Sequence, residues 1–252
     1  MAQALDRVLD GFVAELSAGA GADLRAVVLF GSAAEGAVRA GSDVNLIVVL
    51  EPAEQLERFR EPLRRAHALI GLRAMFAARV ELPGIAESFP VKMLDVRHRH
   101  RLLFGALDLH SLVIPTNALR QGVRQSLLNL RLRLREISVR DAFSEPQALV
   151  AIRRIAGPLR ACALGLAELE RRRVESPRSA LLDIARSLDE EERQPGSDEA
   201  RSVGGWESTV LRISALRRGS DEPGQPTSDL IARVLRLTER LEQRLRSRSD
   251  PS

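Results

Sequence analysis

Gly31-Ser32, Gly36, Ser42, Asp43 and Asn45 crowd into one short stretch, between the apolar runs Val27-Val28-Leu29-Phe30 and Leu46-Ile47-Val48-Val49-Leu50. Each type suits one part of the same chemistry. A glycine lets the backbone turn tightly and approach a phosphate, and a serine after it can donate both hydroxyl and amide. Residues two apart on a strand project from one face, so Asp43 and Asn45 point together. Oxygen ligands so placed suit Mg²⁺, which takes one or two carboxylates alongside phosphate and water. Phosphoryl-type transfer requires the charge of a triphosphate to be neutralised and an attacking hydroxyl to be aligned. Two divalent ions roughly 3.5–4 Å apart do both.

The order apolar run, Gly-Ser turn, polar loop, then an acid entering a second apolar run resembles the nucleotidyltransferase superfamily. That superfamily includes DNA polymerase β, the antibiotic nucleotidyltransferases and the small MNT domains. The resemblance covers little beyond the first 115 or so residues. It implies that Gly31 and Ser32, with Gly36 and Ser42 nearby, hold nucleotide phosphates. It also implies that Asp43 and position 45 hold Mg²⁺ or Mn²⁺, and that a third, base-like acid comes from a later strand. Asp95, closing Val91-Lys92-Met93-Leu94-Asp95 after Pro90, is the candidate for that acid. Two departures stand out. The second metal-binding acid is Asn45, which lacks a charge, and Glu35 stands where relatives often carry a base.

Other candidates are weaker. His98-Arg99-His100 offers two histidines at strand spacing, but no cysteine or third histidine nearby supports zinc. A basic loop near the phosphate site is the better reading. Phe104-Gly105-Ala106-Leu107-Asp108 reads as a turn with a helix cap. Arg120, Arg124, Arg131, Arg133 and Arg135 fall on one helix, and Arg153, Arg154, Arg160 and Arg171 to Arg173 on the next. These read first as solvated faces and second as a nucleic-acid stripe.

The elements that must position these residues follow from the hydrophobic pattern. Leu5, Val8, Leu9, Phe12, Val13 and Leu16 recur at helical spacing, and 24–30 and 44–50 read as buried strands. Residues 54–72 read as a helix kinked at Pro62, 75–80 is ambiguous, Pro83-Gly84 marks a turn, and 91–95 is a third strand. From Thr116 onward the spacing is helical over 119–139, 146–173, 177–188, 207–218 and 228–246, with Pro158 expected to kink or split the second of these. The fold class expected is α+β: a small mixed sheet in a nucleotidyltransferase-like domain, 1–115, followed by an all-α helical bundle, 116–252, with a frayed tail.

Composition excludes several function classes. Aromatics make up 3% with no tyrosine, which argues against a base-stacking platform. The pI is near 10.5, yet the net charge is only +4, so the basic balance says little about nucleic acid. The lone Cys162 rules out an intrachain disulfide framework, fits a reducing cytoplasm and reads as a core residue. No stretch reads as a signal peptide or a membrane span. The expectation is a cytoplasmic protein that binds a nucleoside triphosphate with Mg²⁺ or Mn²⁺. Nucleotidyl transfer to a hydroxyl on a small molecule, protein or RNA would be weakened by Asn45. Two alternatives stay open: a non-catalytic regulator, as in paired MNT–HEPN systems, and an Arg-rich nucleic-acid-binding module. Homodimerisation stays open as well.

Overall fold

The computed structural model describes residues 2–36, 43–51, 55–140, 145–193, 205–220 and 227–247. The chain divides into two compact units, Met1–Pro115 and Thr116–Ser252.

The first unit is a four-stranded mixed sheet with helices on both faces. Helix α1 (Ala2–Ala20) buries Leu5, Leu9, Phe12 and Leu16, the stripe its spacing predicts. Strands β1 (Leu24–Phe30) and β2 (Val44–Leu50) are almost wholly buried, as continuous apolar runs covered on both faces must be. A 3₁₀ turn, Leu56–Phe59, leads into α2 (Arg60–Ile70), and Gly71 then starts the chain into β3 (Leu72–Ala78). Helices α3 (Leu82–Ser88) and α4 (Pro90–His98) precede β4 (His100–Gly105). The strand order is β3-β2-β1-β4. β1 runs antiparallel to β2 and β4, whereas β2 and β3 are parallel, with α2 as their crossover.

The two-residue period sorts the sheet into two cores. Val27, Leu29, Leu46, Val48 and Leu50 meet α1, the 3₁₀ turn and α2 through Leu9, Phe12, Leu16, Phe59 and Ala66. Ala26, Val28, Phe30, Ile47 and Val49 meet α3 and α4 through Leu82, Ala86, Met93 and Val96. β4 is held close at its far end. Gly105 has φ +74°, and a Cβ there would lie 1.9 Å from the Arg25 carbonyl oxygen.

Several expectations change. Residues 91–95 are helical, not a strand. Pro90 occupies the first turn of α4, where a missing N–H costs nothing, and Met93 N–H donates to the Phe89 carbonyl at 2.9 Å. Pro83 likewise opens α3 instead of making a turn. Pro62 lies in the first turn of α2 and kinks nothing. Of the ambiguous segment, 75–78 completes β3, which begins at Leu72, and 79–80 enters a 3₁₀ turn. Asp108 caps no helix: its carboxylate accepts the His110 N–H at 2.9 Å in a loop.

The second unit, within itself, is all helical: α5 (Thr116–Arg140), α6 (Glu145–Leu169), α7 (Pro177–Arg193), α8 (Trp206–Arg218) and α9 (Thr227–Ser247). α6 is central and touches the other four. It runs through Pro158 as one helix. Cys162 is fully buried on it, and burial pushes its thiol pKa to about 12. Some of the expected Arg stripe is internal. Arg131 pairs with the buried Glu242, Arg160 donates to Ser214 Oγ at 2.8 Å, and Arg120 donates to the Leu245 carbonyl at 3.0 Å. Arg124, Arg133, Arg135, Arg153 and Arg154 are exposed.

Candidate nucleotide-binding site

β1 ends in extended backbone at Phe30, and the chain then turns at Gly31 with φ +78°, a left-handed conformation that favours glycine. Gly31–Ala33 forms a single 3₁₀ turn, tightened by Ala34 N–H to the Gly31 carbonyl, and Gly36 follows with φ +70°. The N–H of Gly31 is committed, since it donates to the Arg99 carbonyl at 2.9 Å. Ser32 is half-buried, and its hydroxyl has no hydrogen-bond partner among the described residues. Ser42 lies outside the described residues.

The pairing of Phe30 with Asn45 puts the Gly31-Ser32 turn and Asp43 at the same end of the sheet. Asn45 donates from its side-chain amide to the Asp43 carbonyl at 3.3 Å. Its other register partner, across the parallel pair, is Arg73. Arg73 reaches back along this edge, with Nε 3.3 Å from Asp43 Oδ1. The row thus reads Arg73, Asn45, Phe30 and His100 across four strands. Over Phe30 sits Lys92, the only lysine of the chain, with Nζ 5.6 Å from the ring centroid.

Asp95 is not on a strand beside Asp43. It projects from α4 on the same face of the sheet and is held by Arg99, Nε to Oδ1 at 2.8 Å and Nη2 to Oδ2 at 2.7 Å. Arg99 also donates to Glu35 Oε2 at 3.2 Å. That contact explains the acid after the turn: Glu35 answers the arginine that follows α4 and need not face a phosphate. Burial pulls the Arg99 pKa down. The hydrogen bonds and charges of Asp95 and Glu35 outweigh it and hold the guanidinium more firmly protonated than usual.

These residues do not fit a pair of divalent ions. Two dications need an excess of oxygen-bearing negative charge. Here Asp43 faces Arg73, and Glu35 and Asp95 share Arg99. β3 contributes an arginine where a carboxylate was expected from a later strand, and neither β3 nor β4 carries an acid. Among the described residues no group of three His, Cys, Asp or Glu could hold a metal. The expected set of Asp43, Asn45 and Asp95 therefore reduces to one carboxylate already facing a guanidinium.

No family model and no curated protein sequence matches the chain. Among solved structures, it is similar to spectinomycin adenyltransferase AAD(9) from Enterococcus faecialis, determined with ATP and spectinomycin. The TM-score is 0.54 at 15% identity, over 94% of this chain and 99% of that one. The chain shares the fold of that adenyltransferase. Within that fold, Arg73 and Lys92 are residues the sequence reading missed. Arg73 carried one local signal, a charge just after Gly71 at the entrance to an apolar segment. Its meaning depends on the parallel pairing of β2 with β3. Among the described residues, no helix is long and apolar enough to cross a membrane.

Proposed function

We propose that this protein binds a nucleoside triphosphate at the Gly31-Ser32 turn and transfers its nucleotidyl group slowly or not at all. The observation that carries this reading is the Asp43–Arg73 ion pair at 3.3 Å, beside Asn45, at the mouth of a nucleotidyltransferase-type sheet. The left-handed turn at Gly31 and the Ser32 hydroxyl, which has no partner among the described residues, retain what a phosphate needs. What is missing is the concentration of carboxylates that would hold two metal ions against the triphosphate. The protein then acts as a nucleotide-responsive binding module rather than as a synthetic enzyme. Support for a nucleotide as ligand comes from the shared fold with an adenyltransferase determined with ATP.

The test is calorimetric titration with ATP, CTP, GTP and UTP, followed by a transfer assay with α-labelled triphosphate and mixed hydroxyl acceptors. Saturable binding of at least one triphosphate with no label transferred is expected. Failure to bind any of the four would overturn the reading, and so would brisk transfer.

A further inference from the structure

We propose that Arg73, assisted by Lys92, does in this fold what a divalent cation would otherwise do, so that the site takes a nucleoside triphosphate without metal. The proposal rests on the triphosphate-binding reading and adds to it the identity of the counter-charge. Four observations converge. Arg73 is the register neighbour of Asn45, and the antiparallel pairing puts Phe30, next to the Gly31 turn, on the other side of Asn45. Neighbouring strands lie about 4.8 Å apart, so the Arg73 side chain starts within two strand spacings of the turn. Lys92 stands over Phe30 from α4 on the same face. Among the described residues Arg73 pairs with Asp43, with side-chain exposures of 65% and 47%, and such a pair costs little to open. A guanidinium presents a planar fork of donors suited to phosphate oxygens, and it stays charged at any physiological pH.

The geometry also gives Asp43 a role opposite to that of a metal ligand. In the free protein its carboxylate occupies Arg73. An arriving phosphate must displace it, so Asp43 competes with the anion instead of recruiting a cation for it. This inverts the sign of one substitution. Removing the carboxylate of a metal-binding aspartate weakens nucleotide binding, whereas removing it here frees Arg73 and tightens binding.

The experiment is calorimetry of the full chain with ATP and with inorganic triphosphate, in EDTA and again in excess Mg²⁺. It compares the wild type with Asp43→Asn, Arg73→Gln and Lys92→Gln, each checked by thermal melting. Expected are comparable ATP affinities with and without metal and a loss of about tenfold in Arg73→Gln. Lys92→Gln should lose less, and Asp43→Asn should gain about threefold. Binding of ATP that requires Mg²⁺, or that is lost in Asp43→Asn, would overturn the proposal while leaving triphosphate binding intact. Absence of any triphosphate binding in either buffer would remove the underlying reading as well. Arg73 and Asp43 are largely exposed at a strand entrance, so neither substitution removes a core contact. Asp43→Asn reports independently should Arg73→Gln melt early.

Discussion

Arg99 grips Asp95 through two parallel hydrogen bonds while its own carbonyl takes the N–H of Gly31, so one residue ties α4 to the turn at the end of β1. Both side chains of the pair are four-fifths buried, at 19% and 18% exposure. In that position the carboxylate holds Arg99 in place. Asp95→Asn should lower unfolding stability by about 1–3 kcal/mol, the cost of leaving a buried donor poorly matched. Triphosphate affinity should change little. Denaturant unfolding and calorimetry on the same variant separate the two effects, and full loss of binding with stability intact would return Asp95 to the binding site.

Ser32→Ala tests the turn itself. If the free hydroxyl meets a phosphate oxygen, its removal should weaken triphosphate binding by about 1 kcal/mol, the net worth of one hydrogen bond. Melting temperature should hold, because Ser32 has no partner among the described residues. An unchanged affinity would place the phosphates elsewhere.

Asn45→Asp alone should not create a metal site. It sets a second carboxylate beside Asp43, removes the donor to the Asp43 carbonyl and leaves Arg73 in place. The double variant Asn45→Asp with Arg73→Glu puts carboxylates on both members of the 45–73 register pair, with Asp43 two residues before position 45. Mn²⁺ binding, followed by calorimetry or paramagnetic line broadening, should appear in the double variant at least tenfold more tightly than in either single one. Equal Mn²⁺ affinity across all three would show that the row does not converge on one point.

The helical unit carries its own pH dependence. Burial alone would raise the Glu242 pKa, but hydrogen bonds and charge from Arg246 and Arg131 pull it below the ordinary glutamate range. A carboxyl with a depressed native pKa adds stability above its unfolded pKa and loses it as pH falls through the native one. Glu242→Gln should therefore be less stable than wild type at neutral pH, with the gap closing on acidification below the usual glutamate range. Urea midpoints across an acid-to-neutral series would show it, and a gap independent of pH would contradict it.

Cys162 should be inert in the folded protein. With its thiol pushed to about pKa 12 and its side chain fully buried, it has neither thiolate nor access at neutral pH. Maleimide labelling should proceed only as fast as the helical unit opens and should be complete in denaturant. Rapid labelling of the native protein would mean that α6 is far less secure than its packing indicates.

Much of this was legible locally. β1 and β2 announce themselves because strands covered on both faces must be apolar throughout, and α1 because its stripe has the helical period. Residues 91–95 misled because five residues are too few to separate a period of two from one of 3.6, and Pro90 marks a helix start as readily as a strand boundary. β3 was blurred by Arg73 and by its small residues Ala74, Ala77 and Ala78. Arg73 itself could not be assigned from its neighbours in sequence. Its partner Asp43 lies a whole crossover away, and only the parallel register of β2 with β3 brings them together.

Gly105 holds β4 so close to Arg25 that any side chain there would strike backbone. β4 begins at His100, the residue after Arg99. Lifting the strand would therefore drag on the carbonyl that secures Gly31. In a mutational screen scored by nucleotide capture, Gly105 should surface beside Ser32 and Arg73 although it touches no ligand. Its signature would be a lowered melting point together with weakened capture, whereas Ser32→Ala and Arg73→Gln should lose capture alone.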